Sequence, residues 1–144
     1  MSTIEKRPFY RVYRVTKYEA AVQQIEAAIA AFHAGQFAVA ITLTGAAEDM
    51  APGKPSGLWE LLLSNRPVEE RKDWVSRLNE TLYWLKHERP NAGETRNLAA
   101  VEAGIFILRA LDKWEPWTPA MLAFKDLWFS SPKLLRPEDY ATEG

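Results

Sequence analysis

A chain of 144 residues, 47% of them hydrophobic, can bury one proper core, and its length argues for a single domain. The charges nearly cancel at −1, which excludes the global positive field of a general nucleic-acid binder, so any RNA contact is expected from a local patch. With no cysteine there is no disulfide, thiol nucleophile or cysteine-based zinc site, in keeping with a reducing, cytoplasmic setting.

The opening "MSTIEKRPFYRV" has no apolar core of the signal-peptide kind, and no apolar run approaches the ~20 residues needed to cross a bilayer. The expectation is a protein that is neither exported nor held in a membrane. Residues 1–16 read as an N-terminal arm in which Arg7, Arg11 and Arg14 interleave with Phe9, Tyr10 and Tyr13 in an extended-looking run. Aromatic and arginine side chains in that pattern can stack on single-stranded bases. The plainer reading is an arm or short strand that docks its aromatics on the helices or on a partner chain, with any strand confined to Phe9–Val15.

Residues 17–130 read as one helical domain. Thr16 and Glu19 have capping-box spacing, and Gly35 stands where a C-terminal cap belongs, which predicts a helix from Lys17 to Ala34. At 100° per residue Tyr18, Val22, Ile25, Ile29 and Phe32 share its apolar face. Glu19, Glu26 and His33 border that face, and His33 reads as a last-turn residue favoured by the helix dipole. After a very short turn comes "QFAVAITLTGAAEDMA", a second helix of an antiparallel hairpin. It is apolar around nearly its whole circumference, apart from an edge of Ala38, Thr42 and Asp49, and is therefore expected at the centre of the fold. "APGKPSG" is a loop and "LWELLLSN" a short helix. Pro67 is placed at the first position of a long helix reaching His87 or Glu88, with Trp74, Val75, Leu78, Leu82 and Leu85 in its stripe and Pro90 beyond its end. "RPNAGE" is another loop, followed by a helix expected from Glu94 to Trp114, where Gly104 admits a close neighbour. Thr118 and Pro119 open a last helix, "TPAMLAFKDLWFSS". Residues 131–144 read as a loose tail.

Within this frame Glu48 is the most informative polar residue, since it falls on the stripe of Phe37, Ile41 and Thr44. A carboxylate there must be paired, hydrogen-bonded or protonated, because an unpaired buried charge costs several kcal/mol. Its expected partners lie on the fourth helix, where Arg71 falls in the apolar stripe and Asn79 and Lys86 on its border. A polar link fixing helix register and a polar pocket for a small ligand are both open to it. His87 projects with Ser76, Glu80 and Tyr83, away from the stripe. No metal-ligand spacing, Gly-x-Ser-x-Gly elbow or phosphate-cradling glycine loop is present, so no metal or cofactor is expected.

Two stretches, "AIAAFHAGQFAVAITLTGAAEDM" at 28–50 and "LNETLYWLKH" at 78–87, together resemble the HEPN-like helical family: a hairpin with a short glycine-containing turn leading into an "AAE" helix, then a later helix ending in a Lys-His pair. The likeness extends over about residues 17–114. What the resemblance implies is an all-α antiparallel bundle of four or five helices, often a symmetric dimer. It also implies kinship with metal-independent ribonucleases of toxin–antitoxin and phage-defence systems. Their usual motif is an arginine followed after four to six residues by a histidine. With His87 as that histidine, the arginine would fall at 80–82, which here are Glu80, Thr81 and Leu82; His33 is preceded at the same spacing by Glu26, Ala27 and Ala28. The sequence therefore reads as a non-catalytic HEPN-like binding or regulatory module, homodimeric and cytoplasmic. Glu48, Asn79, Tyr83, Lys86, His87 and Arg89 are its candidate contacts to RNA, a nucleotide or a protein partner. The alternatives are a divergent ribonuclease using His87 with an arginine from elsewhere, such as Arg77 or Arg89, and a small-ligand site around Glu48.

Overall fold

The Thr16 hydroxyl accepts from the Glu19 amide at 3.0 Å while the Glu19 carboxylate accepts from the Thr16 amide at 3.1 Å, and this capping box starts helix α1, Lys17–His33. The computed structural model describes residues 8–53, 56–64, 66–87 and 95–131, and their regular structure is helical, with no strand among the described residues. α1 ends at Gly35, whose φ of +75° is the left-handed conformation that closes a helix at low cost without a Cβ. The chain turns at once into α2, Phe37–Asp49, and the hairpin packs through Ala21, Ile25, Ala28 and Ala31 against Ala40, Ile41 and Ala47. α3 spans Leu58–Ser64, α4 Val68–Lys86, α5 Ala100–Lys113 and α6 Pro119–Phe129. The fold class is an all-α helical bundle, as the periodicity requires.

Four expectations change. The most completely buried helix is α5 rather than α2: eleven of its fourteen residues are buried, Ile105, Phe106, Ile107, Leu108 and Leu111 completely. α2 packs against α1, α4 and α5 but leaves its expected edge of Ala38, Thr42 and Asp49, together with Val39, exposed. α5 starts at Ala100, six residues later than its periodicity suggests; residues 95–99 are non-helical and carry Arg96 onto α4, where both Nε and a terminal nitrogen donate to the Thr81 hydroxyl at 3.1 and 2.9 Å. Pro67, with ψ of 139°, caps α4 from outside its first turn. The arm does not dock on its own helices: Pro8–Tyr10 form a 3-10 turn, and Phe9 is 97% and Val12 90% exposed. The loop at 89–94 and the tail beyond Ser131 lie outside the described residues.

Two glycines set the helix spacing. A Cβ on Gly104 would stand 2.4 Å from the ring of Trp128, so α5 and α6 meet through an absent side chain. A Cβ on Gly45 would stand 2.7 Å from the end of Leu82, which brings α4 against α2 just below Glu48.

Candidate functional site

Glu48 is paired, but its partners come from α5. Arg109 and Lys113, one turn apart and so on one face of α5, both donate to the same carboxylate oxygen, Oε1, at 2.9 and 3.0 Å. The Glu48 side chain is 10% exposed and Arg109 14%, whereas Lys113 at 35% keeps its ammonium partly in water. Oε2 of Glu48 is buried and has no hydrogen-bond partner among the described residues. The expected partners on α4 are displaced by one link: Asn79 accepts from Arg109 at 3.2 Å, Lys86 pairs with Asp49 at 3.1 Å, and Arg71 donates from Nε to the Arg66 carbonyl. The α2–α4–α5 face thus carries three cations against the carboxylates Glu48 and Asp49.

Arg109 is the hub of this network. Its guanidinium also lies over the rings of Trp59, 5.1 Å from the centroid, and Phe106, at 5.4 Å. Trp59 stacks on Trp74 with centroids 5.6 Å apart and an interplanar angle of 10°, and the Arg66 guanidinium lies over Trp74, 4.9 Å from its centroid. Contacts from Arg109 to Trp59, Trp59 to Trp74 and Arg66 to Trp74 therefore join α3, α4 and α5, each cation set over a ring. α3 is anchored independently by the buried Asp112, whose Oδ1 accepts from the Gly57 and Trp59 amides at 3.1 and 3.0 Å and from the Ser56 hydroxyl at 3.3 Å.

His87 sits just past α4 in extended conformation, its amide donating to the Tyr83 carbonyl and its ring tilted over Tyr83 with centroids 4.1 Å apart. Both residues are exposed. Arg89 lies outside the described residues, and among those described no arginine donates a hydrogen bond to the imidazole. The arginine that does reach positions 80–82 is Arg96, and it binds Thr81, which is 1% exposed and points to the interior. Thr81 and Tyr83 are two residues apart, about 160° around the helix, so Arg96 and His87 stand on nearly opposite sides of α4.

Beside Thr81 the structure places a buried acid that periodicity missed. Glu102, 6% exposed, is pushed above the ordinary carboxylate range by loss of hydration, against which a hydrogen bond from Thr81 and the charge of Arg96 act in the other direction. The signal for the Glu48 site was present in the sequence, as a basic pair four residues apart near the end of an apolar helix. Glu102 had no such signal, because its neighbours depend on the non-helical path of residues 95–99. The structure thus brings Glu48 and Asn79 together through Arg109 and sets Lys86 beside them on Asp49, while Tyr83 and His87 form a separate surface pair. No group of acidic and histidine side chains able to hold a metal occurs among the described residues, and no helix there is long and apolar enough to cross a membrane. Comparison with protein-family models, with curated proteins and with solved structures gave no match.

Proposed function

We propose that the chain is a non-catalytic binding or regulatory module of HEPN-like type, acting as a homodimer in the cytoplasm. The observation that carries this reading is the commitment of the cations around α4. Arg109 and Lys113 are drawn onto Glu48, Lys86 onto Asp49 and Arg96 onto Thr81, while His87 rests on Tyr83 at the surface. Acid–base cleavage of RNA needs a titrating imidazole and a cation close enough to stabilise the charge growing on phosphate. Here the imidazole is accessible, while Arg96, Arg109, Lys113 and Lys86 are held by other groups. The homodimer follows from the HEPN-like resemblance, whose members are often symmetric pairs.

The test is ribonuclease activity of the purified protein without metal, measured beside His87→Ala. No cleavage above that control, with the helical circular dichroism of both proteins alike, is the expected result. Cleavage by the wild type that disappears in a folded His87→Ala variant would replace this reading with the divergent ribonuclease. A second reading, a small-ligand site at Glu48, is favoured by the buried Oε2, which a hydrogen-bond donor on a ligand would satisfy. Ligand-dependent thermal stabilisation present in the wild type and lost in Glu48→Gln would support it.

A further inference from the structure

We propose that the N-terminal arm is an exchange element: in the homodimer each arm lies in the groove between α3 and α6 of the other copy. This rests on the dimer reading above and adds the surface that makes the dimer. The arm is built to be covered. Five large apolar or aromatic side chains, Phe9, Tyr10, Val12, Tyr13 and Val15, are exposed within seven residues. Such a concentration is unusual for a surface segment with no partner surface. Arg11 lies over the Tyr13 ring and donates to its hydroxyl, so the arm braces its own side chains while presenting them outward.

The groove offers matching chemistry. It encloses about 440 Å³ between Leu58 and Leu61 of α3, Phe129 of α6 and Trp117, with Asp126 and Lys125 on its edge. Leu61, at its mouth, is 54% exposed. Lys125 is already drawn over the Trp117 ring, 5.2 Å from its centroid, while Asp126 remains exposed. Charge follows the same division over the chain. Residues 1–16 carry four basic groups and one acidic, net +3, which leaves −4 on residues 17–144. A basic aromatic arm suits an apolar groove that carries an exposed carboxylate at its edge, on a bundle that is net acidic.

Position selects a second copy as the occupant. The arm leaves the bundle at Tyr18, whose hydroxyl donates to the Pro116 carbonyl, one residue from the Trp117 that lines the groove. Arm root and groove therefore share one end of the molecule. A two-fold axis at that end sends each arm into the other copy's groove, and both contacts close at once. In its own copy the arm runs off the bundle with Phe9 almost wholly exposed.

The absence of cysteine makes the test clean. Full-length Val12→Cys protein is mixed with full-length Leu61→Cys protein and oxidised, so that a heterodisulfide forms only between different chains. Mixing Val12→Cys with Glu80→Cys, exposed on α4 outside the groove, is the control. Light scattering gives the mass of each variant and of the wild type. The expected result is a dimer throughout, and a cross-linked pair forming about tenfold or more faster with Leu61→Cys than with the control, as local concentration in a docked arm requires. Equal rates in an intact dimer overturn the exchange and leave the dimer reading standing; a monomer at high micromolar concentration overturns both. An intrachain bridge in the Val12→Cys/Leu61→Cys double variant, without cross-linking in the mixture, shows the arm folding onto its own groove and also refutes the proposal. So do equal rates together with oligouridine binding that Arg11→Ala weakens, which assigns the arm to single-stranded nucleic acid.

Discussion

Replacing Glu48 by leucine is the sharpest probe of the polar core. The change deletes the acceptor of two hydrogen bonds and leaves Arg109, 14% exposed, charged against Trp59 and Phe106. Breaking a fully sealed ion pair from one side costs about 3–5 kcal/mol. Two features reduce that here. Lys113 is 35% exposed and regains water, so its share is in the range of about 0–1 kcal/mol. Arg109 keeps Asn79 as an acceptor and two aromatic faces. Glu48→Leu is therefore expected to cost about 2–3 kcal/mol, and Glu48→Gln, which keeps an acceptor carbonyl, about 1–2 kcal/mol. Removing the stranded charge as well, in Glu48→Leu/Arg109→Met, should recover at least about 1 kcal/mol of the single-variant loss, because an apolar pair has no ion left to desolvate. Urea titrations followed by circular dichroism, with the slope held common, measure all three. A leucine variant within about 0.5 kcal/mol of wild type, or a double variant no more stable than the single, would refute the reasoning that this carboxylate holds a buried cation.

Gly104→Ala sets a Cβ against the buried ring of Trp128 and should destabilise by about 1–3 kcal/mol, whereas Gly45→Ala meets only the movable end of Leu82 and gains about 1 kcal/mol of helix propensity, so thermal melts should place it near wild type. Asp112→Ala removes one oxygen that accepts from two amides and a hydroxyl and should cost about 2–4 kcal/mol in urea, with loss of the α3 signal in hydrogen exchange before that of α5. Glu102 binds its proton more tightly folded than unfolded, since burial raises it from 4.5; the group therefore favours the fold most below that value and progressively less as pH rises through its folded pKa. Relative to wild type, Glu102→Gln should accordingly gain stability between pH 4 and pH 8 in parallel urea titrations, and a constant difference across that range would show that Arg96 and Thr81 already compensate the burial.

Short-range chemistry marked which segments are helical and those ends that carry local caps. Thr16 with Glu19, Gly35, and Thr118 with Pro119 act within a single turn, and capping and left-handed conformations need only neighbours a few residues away. The placement of Gly104 at a close approach was legible for a related reason: a missing side chain in an apolar helix has few other uses. Glu48 could be marked as a carboxylate in need of a partner, because its position on the α2 stripe follows from periodicity alone. Which partner it takes was decided only by packing. Helix periodicity fixes the direction in which a side chain leaves its own axis but not which neighbour lies there, and α5 rather than α4 fills that side. Apolarity around nearly the whole circumference of α2 predicted a central helix; it does pack against α1, α4 and α5, yet the bulkier α5 is the more completely buried. The fate of residues 95–99 was equally a tertiary matter. Their helical pattern gives way where Arg96 spans to Thr81, and that single crossing creates the buried Glu102 cluster from residues 21 positions apart in the chain.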